Sequence, residues 1–446
     1  MAETRALKTM ADAGGLEAVL SALFMNRHSS NVALSIVCVH MLKLYAGYNK
    51  PDACRWGVWT DKQLNMGLEC ITGAMRKFPH NLDLQCCAIS CFLTLCLQDG
   101  IPRNAHMYIC HMHVARQGVR QLLMIAMHTH ENAIMYVDVC KLLFMFSNEC
   151  VTRQPAPGVS CEVVALQALR HSLTLRHIES ICFITKLLCQ LCHQEQSVHH
   201  DLLRNPAAIP LCLQILQEVR ANIETETPEQ AVQKQTTIVM ATTLLKDITE
   251  SHDARRVFLH IPGSIASVVR AITDSHELCM LQPAALFHYE PFITTQMCVT
   301  VQNNLCEMLS KMELDGYIFP IMQCGAMQQL VNVIRETDSD GVRLMAFRAA
   351  KTIAYDDNGE RLIVLKAGGL QVFANQILSL PLTGVKNRLR EECVACLVHL
   401  AEFPVYATAM IDLGFIGLLQ KLPPSPNKDI LMPLLQHAEH NPVYPP

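Results

Sequence analysis

From Asn358 to Phe403 the chain reads NGERLIVLKAGGLQVFANQILSLPLTGVKNRLREECVACLVHLAEF. It opens with a short helical segment that stops at Gly368-Gly369. A second helix follows with apolar residues on one face, then a polar turn, then a long helix over about 386–403. Leu389, Cys393, Cys396, Leu397 and Leu400 share one side of that long helix, at the spacing of an α-helical stripe. Glycine suits the first corner because it accepts a positive φ and lets two backbones approach closely.

The same order recurs along the chain. Glycine steps stand in ADAGGLEAVL (Gly14, Gly15), ARQGVRQLL (Gly118), LHIPGSIASVV (Gly263), MQCGAMQQLV (Gly325) and IDLGFIGLL (Gly414), with weaker versions at Gly67, Gly158 and Pro206-Ala207. Long helices are predicted at about 31–46, 81–97, 132–149, 175–193, 232–250, 292–313, 341–356 and 386–403. Polar turns precede them, as at Ser29-Ser30-Asn31, Pro79-His80-Asn81 and Thr337 to Gly341, and supply Asn, Ser and Asp as helix caps. No stretch has a convincing strand pattern. A unit of this size cannot bury its apolar face alone, so the units stack and share a core.

A three-helix unit of about 45 residues with glycine between its first two helices resembles the armadillo repeat. The resemblance covers nearly the whole chain. Ala74 to Leu95 (AMRKFPHNLDLQCCAISCFLTL) is also similar to the armadillo region of leucine-rich-repeat kinases. The expected fold is all-α, a right-handed armadillo-type α-solenoid of about eight to nine three-helix repeats. The array is assigned to residues 1–422, with a partial last unit at Val405 to Leu422. Residues 423–446 form a Pro-rich C-terminal cap and tail, with a capping helix near Asn427 to His440.

Composition narrows the function. Net charge is −4, from 36 basic and 40 acidic residues, which argues against bulk nucleic-acid binding. Hydrophobic residues make up 50% and charged ones only 17%, too apolar for a disordered chain. The 21 cysteines lie mostly in helical stripes, where a thiol acts as a small hydrophobe, and this points to a reducing compartment. The N-terminal MAETRALKTMADAGG has no signal-peptide core, and no apolar run is long enough for a membrane span.

The resemblance implies that the long helices line a concave groove. Armadillo families that clasp extended peptides use an Asn near the end of that helix. The matching positions here are Lys43, Thr94, Met145, Gln190, Asp247, Glu307, Thr352 and His399, and none is Asn. The tryptophan series of nuclear-import adaptors is missing too, which counts against a nuclear-localisation-signal receptor. The groove residues with most to offer a partner are Asp138, Lys141, Lys186, Gln190, Asp247, Asn303, Glu307, Arg348, Thr352, Arg388, Glu392 and His399. Their mixed charge suits a shaped polypeptide partner or a solvated helix face equally.

Three inter-helix segments exceed the period: Gly47 to Asp61 with Trp56 and Trp59, the acidic Asn222 to Ala231, and Ser275 to Thr294 with Phe287, Tyr289 and Phe292. These aromatics either anchor a partner or fold back over the array.

No cofactor is expected. Cys189-Gln-Leu-Cys192-His193 matches the haem-attachment string but sits within a long helix whose packing needs those residues. His111/His113, His128/His130, His199/His200 and His437/His440 lack the paired spacing of a zinc site. The expected role is a non-enzymatic interaction scaffold, a cytoplasmic member of a hetero-complex with a cytoskeletal or ciliary location in view. The alternative is an adaptor that transiently binds a short linear motif for transport or targeting.

Overall fold

The computed structural model of the protein describes residues 9, 13–26, 30–47, 61–96, 119–150, 161–194, 205–220, 226–285, 291–312, 324–354, 368–379 and 385–440. Among them are 20 α-helices and no strand. They fall into two compact units, Met1–Asn205 and Pro206–Pro446.

In the first unit, α1 (Gly15–Met25), α3 (Asp61–Lys77), α5 (Val119–Thr129) and α7 (Cys161–Thr174) each pack against the next. The long helices α2 (Val32–Gly47), α4 (Leu82–Cys96), α6 (Ala133–Cys150) and α8 (Ile178–Gln194) form a second row in the same way. Each shorter helix also packs on the long helix that follows it, so the core lies between the two rows. Phe92 and Tyr136 fill it.

The second unit repeats the plan. One row is α9 (Ala208–Glu218), α12 (Ser264–Ala285), α14 (Ala326–Glu336), α16 (Gly369–Ser379) and α19 (Phe415–Gln420). The long row is α10 (Pro228–Ile248), α13 (Pro291–Ser310), α15 (Asp340–Ala354), α17 (Val385–Ala401) and α20 (Pro426–His440). Two short helices, α11 (His252–His260) and α18 (Pro404–Asp412), are the first members of their trios. Where other repeats would place such a helix, the chain lies outside the described residues.

Local chemistry explains these elements. In α14, Met327, Leu330, Val331 and Ile334 are buried at i, i+3, i+4 and i+7. In α17 the five residues of the predicted stripe are all fully buried. Phe347 of α15 meets Phe373 of α16 at 5.2 Å between ring centroids. The corner glycines Gly14, Gly263, Gly325, Gly368 and Gly414 have φ between 68° and 77°. At Gly325 an added Cβ would meet no atom within 4 Å, so the residue is required by its left-handed backbone and not by space. Three successive long helices carry the same cap: Asn31, Asn81 and Asn132 accept from the backbone N–H of Leu34, Leu84 and Met135 at 3.0, 2.9 and 2.9 Å.

Pro206-Ala207 does make a turn ahead of α9, with Ala207 right-handed. Three expectations are corrected. Gly67 is no corner: it is buried inside α3. The acidic segment from Asn222 ends early, because Thr227 and Gln230 form a reciprocal capping box that starts α10 at Pro228. Ser275 to Thr294 is mostly helix: α12 continues to Ala285 and α13 begins at Pro291, so Phe292 lies in a first helical turn and not in a loop. Gly118, Gly158, Trp56, Trp59, Phe287 and Tyr289 lie outside the described residues.

Candidate protein-binding face

In the second unit, several of the expected groove positions meet side chains or backbone of the neighbouring long helix. Glu307 of α13 accepts a hydrogen bond from Lys311 at 2.9 Å and lies 3.7 Å from Lys246 of α10. Lys311 also donates to Glu250, in the turn just after α10. Thr352 of α15 donates to the Ser310 carbonyl of α13 at 3.1 Å. Arg348 donates through Nε to Glu392 of α17 at 2.8 Å, and Lys351 lies 3.5 Å from the other oxygen of the same carboxylate. Asn304 Nδ2 donates to Thr243 Oγ1 across α13 and α10 at 3.0 Å.

The seam has electrostatic consequences. Partial burial works to raise Glu307, but the Lys311 hydrogen bond and the charges of Lys246 and Lys311 outweigh it and hold its pKa below the usual carboxylate value. Lys311 mirrors this: burial works to lower it, and its bonds to Glu250 and Glu307 leave it raised. Both shifts favour the charged pair.

Asp247 and Asn303 are half-buried, and the Asn303 side chain lies beside Gly341 at the start of α15. Arg388 is exposed on the first turn of α17. His399 Nδ1 lies 3.8 Å from Glu402.

The first unit is built differently. Lys141 of α6 contacts Glu179 of α8 at 3.3 Å. Its ammonium also stands 5.0 Å from the Phe183 ring centroid, and Lys186 stands 5.5 Å from the same ring. A half-buried aromatic is thus flanked by two cations. Asp138 is raised by burial, against the lowering charges of Lys141 and Lys43. Gln190 is half-buried one turn beyond Lys186.

Sequence phasing missed Lys246, Lys311, Lys351 and Phe183. Lys311 follows Glu307 by four residues, a helical ion-pair spacing that could have found it. Nothing in the sequence marks Phe183 apart from its neighbours.

Among the described residues, no three or more His, Cys, Asp and Glu side chains gather as a metal site. Cys189 and Cys192 are buried in the first unit's core, whereas His193 is exposed. One cavity of about 240 Å³ lies among Met75, Pro79, Gln85, Leu122 and Ile125, below the roughly 300–1,000 Å³ of ligand pockets. Among the described residues, no helix is long and apolar enough to cross a membrane.

No model of a known protein family matches the chain. No curated protein matches it either. Solved structures do. An engineered protein is 15% identical over 98% of this chain and 91% of its own, with a TM-score of 0.49. A designed armadillo repeat protein is 16% identical over 62% of this chain and 98% of its own, with a TM-score of 0.42. SYS-1, a β-catenin-like armadillo protein, is 10% identical over 96% of this chain and 75% of its own, with a TM-score of 0.56. At that identity the likeness is one of architecture, and with the two stacked rows and their glycine corners it establishes that the chain has the armadillo-repeat fold.

Proposed function

We propose that the chain is a non-enzymatic scaffold that binds other proteins and works as a fixed subunit of a larger cytoplasmic assembly, cytoskeletal or ciliary in kind. The observation that carries this reading is the outer face of α2. That helix is apolar nearly all round, the mark of an element buried on every side. Yet Leu34, Val37 and Leu44 are 39%, 58% and 37% exposed, and Met25 at the end of α1 is 78% exposed. An apolar face that no described helix covers fits a surface covered by a neighbouring subunit.

The test is expression of the full chain alone. Self-association or poor solubility, relieved by co-expression with a co-purified neighbour, is expected. A monodisperse monomer at high concentration would remove the support for a fixed subunit.

A second reading keeps the protein-binding role but makes it transient, as in an adaptor for a short linear motif. Phe183 between Lys141 and Lys186 favours it, because two cations beside one aromatic suit an acidic residue next to an apolar one. Binding spread over many repeats supports the fixed subunit, and binding abolished by Phe183→Ala alone supports the adaptor. Proximity labelling with native purification supplies the partners for both measurements.

A further inference from the structure

Helices α15 and α17 pack side by side in the long row and share one register. Setting the fully buried Val342, Ala346 and Ala350 of α15 on the fully buried Leu389, Cys393 and Leu397 of α17 brings Arg343 opposite Arg390 and Asp340 opposite Asn387. The two starts are built differently. In α15, Arg343 donates through Nη1 to Asp340 at 2.8 Å and through Nη2 to the Thr337 carbonyl. In α17 an amide replaces the carboxylate, Lys386 takes the place of Ser339, and no acid stands in the first turn. Arg390 is nonetheless only 3% exposed, and its Nε and Nη1 are buried with no hydrogen-bond partner among the described residues.

A buried guanidinium without an anion carries a large desolvation penalty. Two further penalties fall on the same stretch. Lys386 stands one helical turn before Arg390, so two like charges share one side of the helix. Both also lie near the positive end of the helix dipole. The acids that follow do not offset this. Glu392 is held by Arg348 and Lys351 of α15, and Glu391 comes directly after Arg390, where adjacent helical residues do not face each other. Helical side chains lean toward the N-terminus of their helix, so Arg390 reaches back over the first turn, as Arg343 does to Asp340.

We propose that the start of α17 is a binding site for a phosphate monoester dianion, held by Arg390, Lys386 and Asn387. Compared with α15, this turn has lost a negative charge and gained a positive one. A doubly charged anion restores the balance, and a phosphate monoester approaches that charge near neutral pH, whereas a carboxylate supplies only half of it. The guanidinium presents several N–H donors in one plane to the phosphate oxygens. The exposed Lys386 adds its ammonium from the solvent side, and the half-buried Asn387 amide can donate where Asp340 could only accept. The helix end contributes its own positive potential.

The test titrates the folded full chain with inorganic phosphate by calorimetry, against chloride at matched ionic strength. A single site per chain is expected, with slowed amide exchange at the start of α17. Arg390→Met should weaken binding by at least about tenfold, because charge-assisted hydrogen bonds are lost. Asn387→Asp is the sharper variant, since it removes no core side chain. It returns the α15 carboxylate to this turn, so it should raise the denaturant midpoint in phosphate-free buffer and abolish phosphate binding. Arg256→Gln, which removes an exposed charge from α11, should bind as the unaltered chain does. Titration with O-phosphoserine separates the sources of the group. Tighter binding than inorganic phosphate assigns the site to a phosphorylated side chain of a partner, and binding no tighter assigns it to a small free phosphate. No binding of either by the unaltered chain, undiminished binding or an unraised midpoint in Asn387→Asp, or a loss in Arg256→Gln equal to that in Arg390→Met would each overturn the proposal.

Discussion

The first long helix of the first unit and the last long helix of the second solve the same problem in opposite ways. Each stands at the limit of its row. Helix α20 turns Leu431 and Leu435 inward against α17, α18 and α19, both fully buried, and leaves Asp429, Gln436, His437, Glu439 and His440 outside, with Ile430 the apolar exception. Helix α2 buries Val39 and Leu42 just as completely, but its other face carries Ala33, Leu34, Val37, His40 and Leu44, and no described helix covers it. The position in the array is therefore not what makes a helix a cap. The polarity of its outer face does that.

The largest test breaks the closed end. Leu431→Ala or Leu435→Ala removes a fully buried side chain from the seam between α20 and α17 and should cost about 2–5 kcal/mol, read as a lowered denaturant midpoint. The double variant should expose α17 and turn this end into a second apolar face. If the chain stayed as stable and as soluble as before, α20 would not be a cap.

The next test asks whether the end repeat is held as firmly as an inner one. Gly325 and Gly414 have φ of 70° and 77°, and at neither would an added Cβ come within 4 Å of another atom. Alanine at either site thus meets only backbone strain, about 1–2 kcal/mol. Gly325→Ala lies inside the array and should lower global stability by that amount. Gly414→Ala should show mainly as faster amide exchange in α18 to α20, since a terminal repeat opens locally. Equal global losses would mean that the end is as tightly coupled as the middle.

A smaller effect is expected at the ionic seam. Glu307→Gln removes the partner of Lys246 and Lys311 and should cost about 0.5–1 kcal/mol, a modest value because Lys311 is 35% exposed. The pH dependence has a definite sign. The Glu307 carboxyl titrates lower in the folded chain than in the unfolded one, so the unfolded state binds more protons as acid is added. Its contribution is complete above the ordinary carboxylate pKa and is lost as pH falls through its depressed folded value. Denaturation midpoints measured from neutral to acid pH should converge for Glu307→Gln and the unaltered chain.

Much of this architecture is legible in the sequence because it is written in local signals. The Asn caps, the glycine corners and the apolar stripes act within one or two helical turns, and they place the long helices within a few residues. Helix α12 escaped because SHELCMLQPAA mixes Met and aromatic neighbours with Pro283, which reads as a loop, whereas the burial of Ser275, His276 and Leu278 shows the stripe continuing. Gly67 misled for a related reason: a glycine buried within a helix allows close packing and looks the same as one at a corner. Phasing proposes a set of positions along the long helices, but it does not give their pairings. Whether Glu307 meets Lys246, 61 residues away, depends on how α13 sits on α10, and no local signal carries that.

The smallest change in stability belongs to the open end, and it is the most informative. Val37→Gln with Leu44→Gln alters two side chains that are already in water, so the unfolding free energy should move by no more than about 0.5 kcal/mol. What should change is association. The unaltered α2 face offers apolar area to any neighbour, and glutamine removes that attraction while keeping size and helix propensity close to the original. Sedimentation of the double variant should show less self-association, and native purification should recover fewer partners, with the fold intact by circular dichroism. A variant that unfolds would show instead that α2 is covered within the chain itself. One that keeps every partner would move the interface away from this end and toward Phe183 or the seam at Glu307.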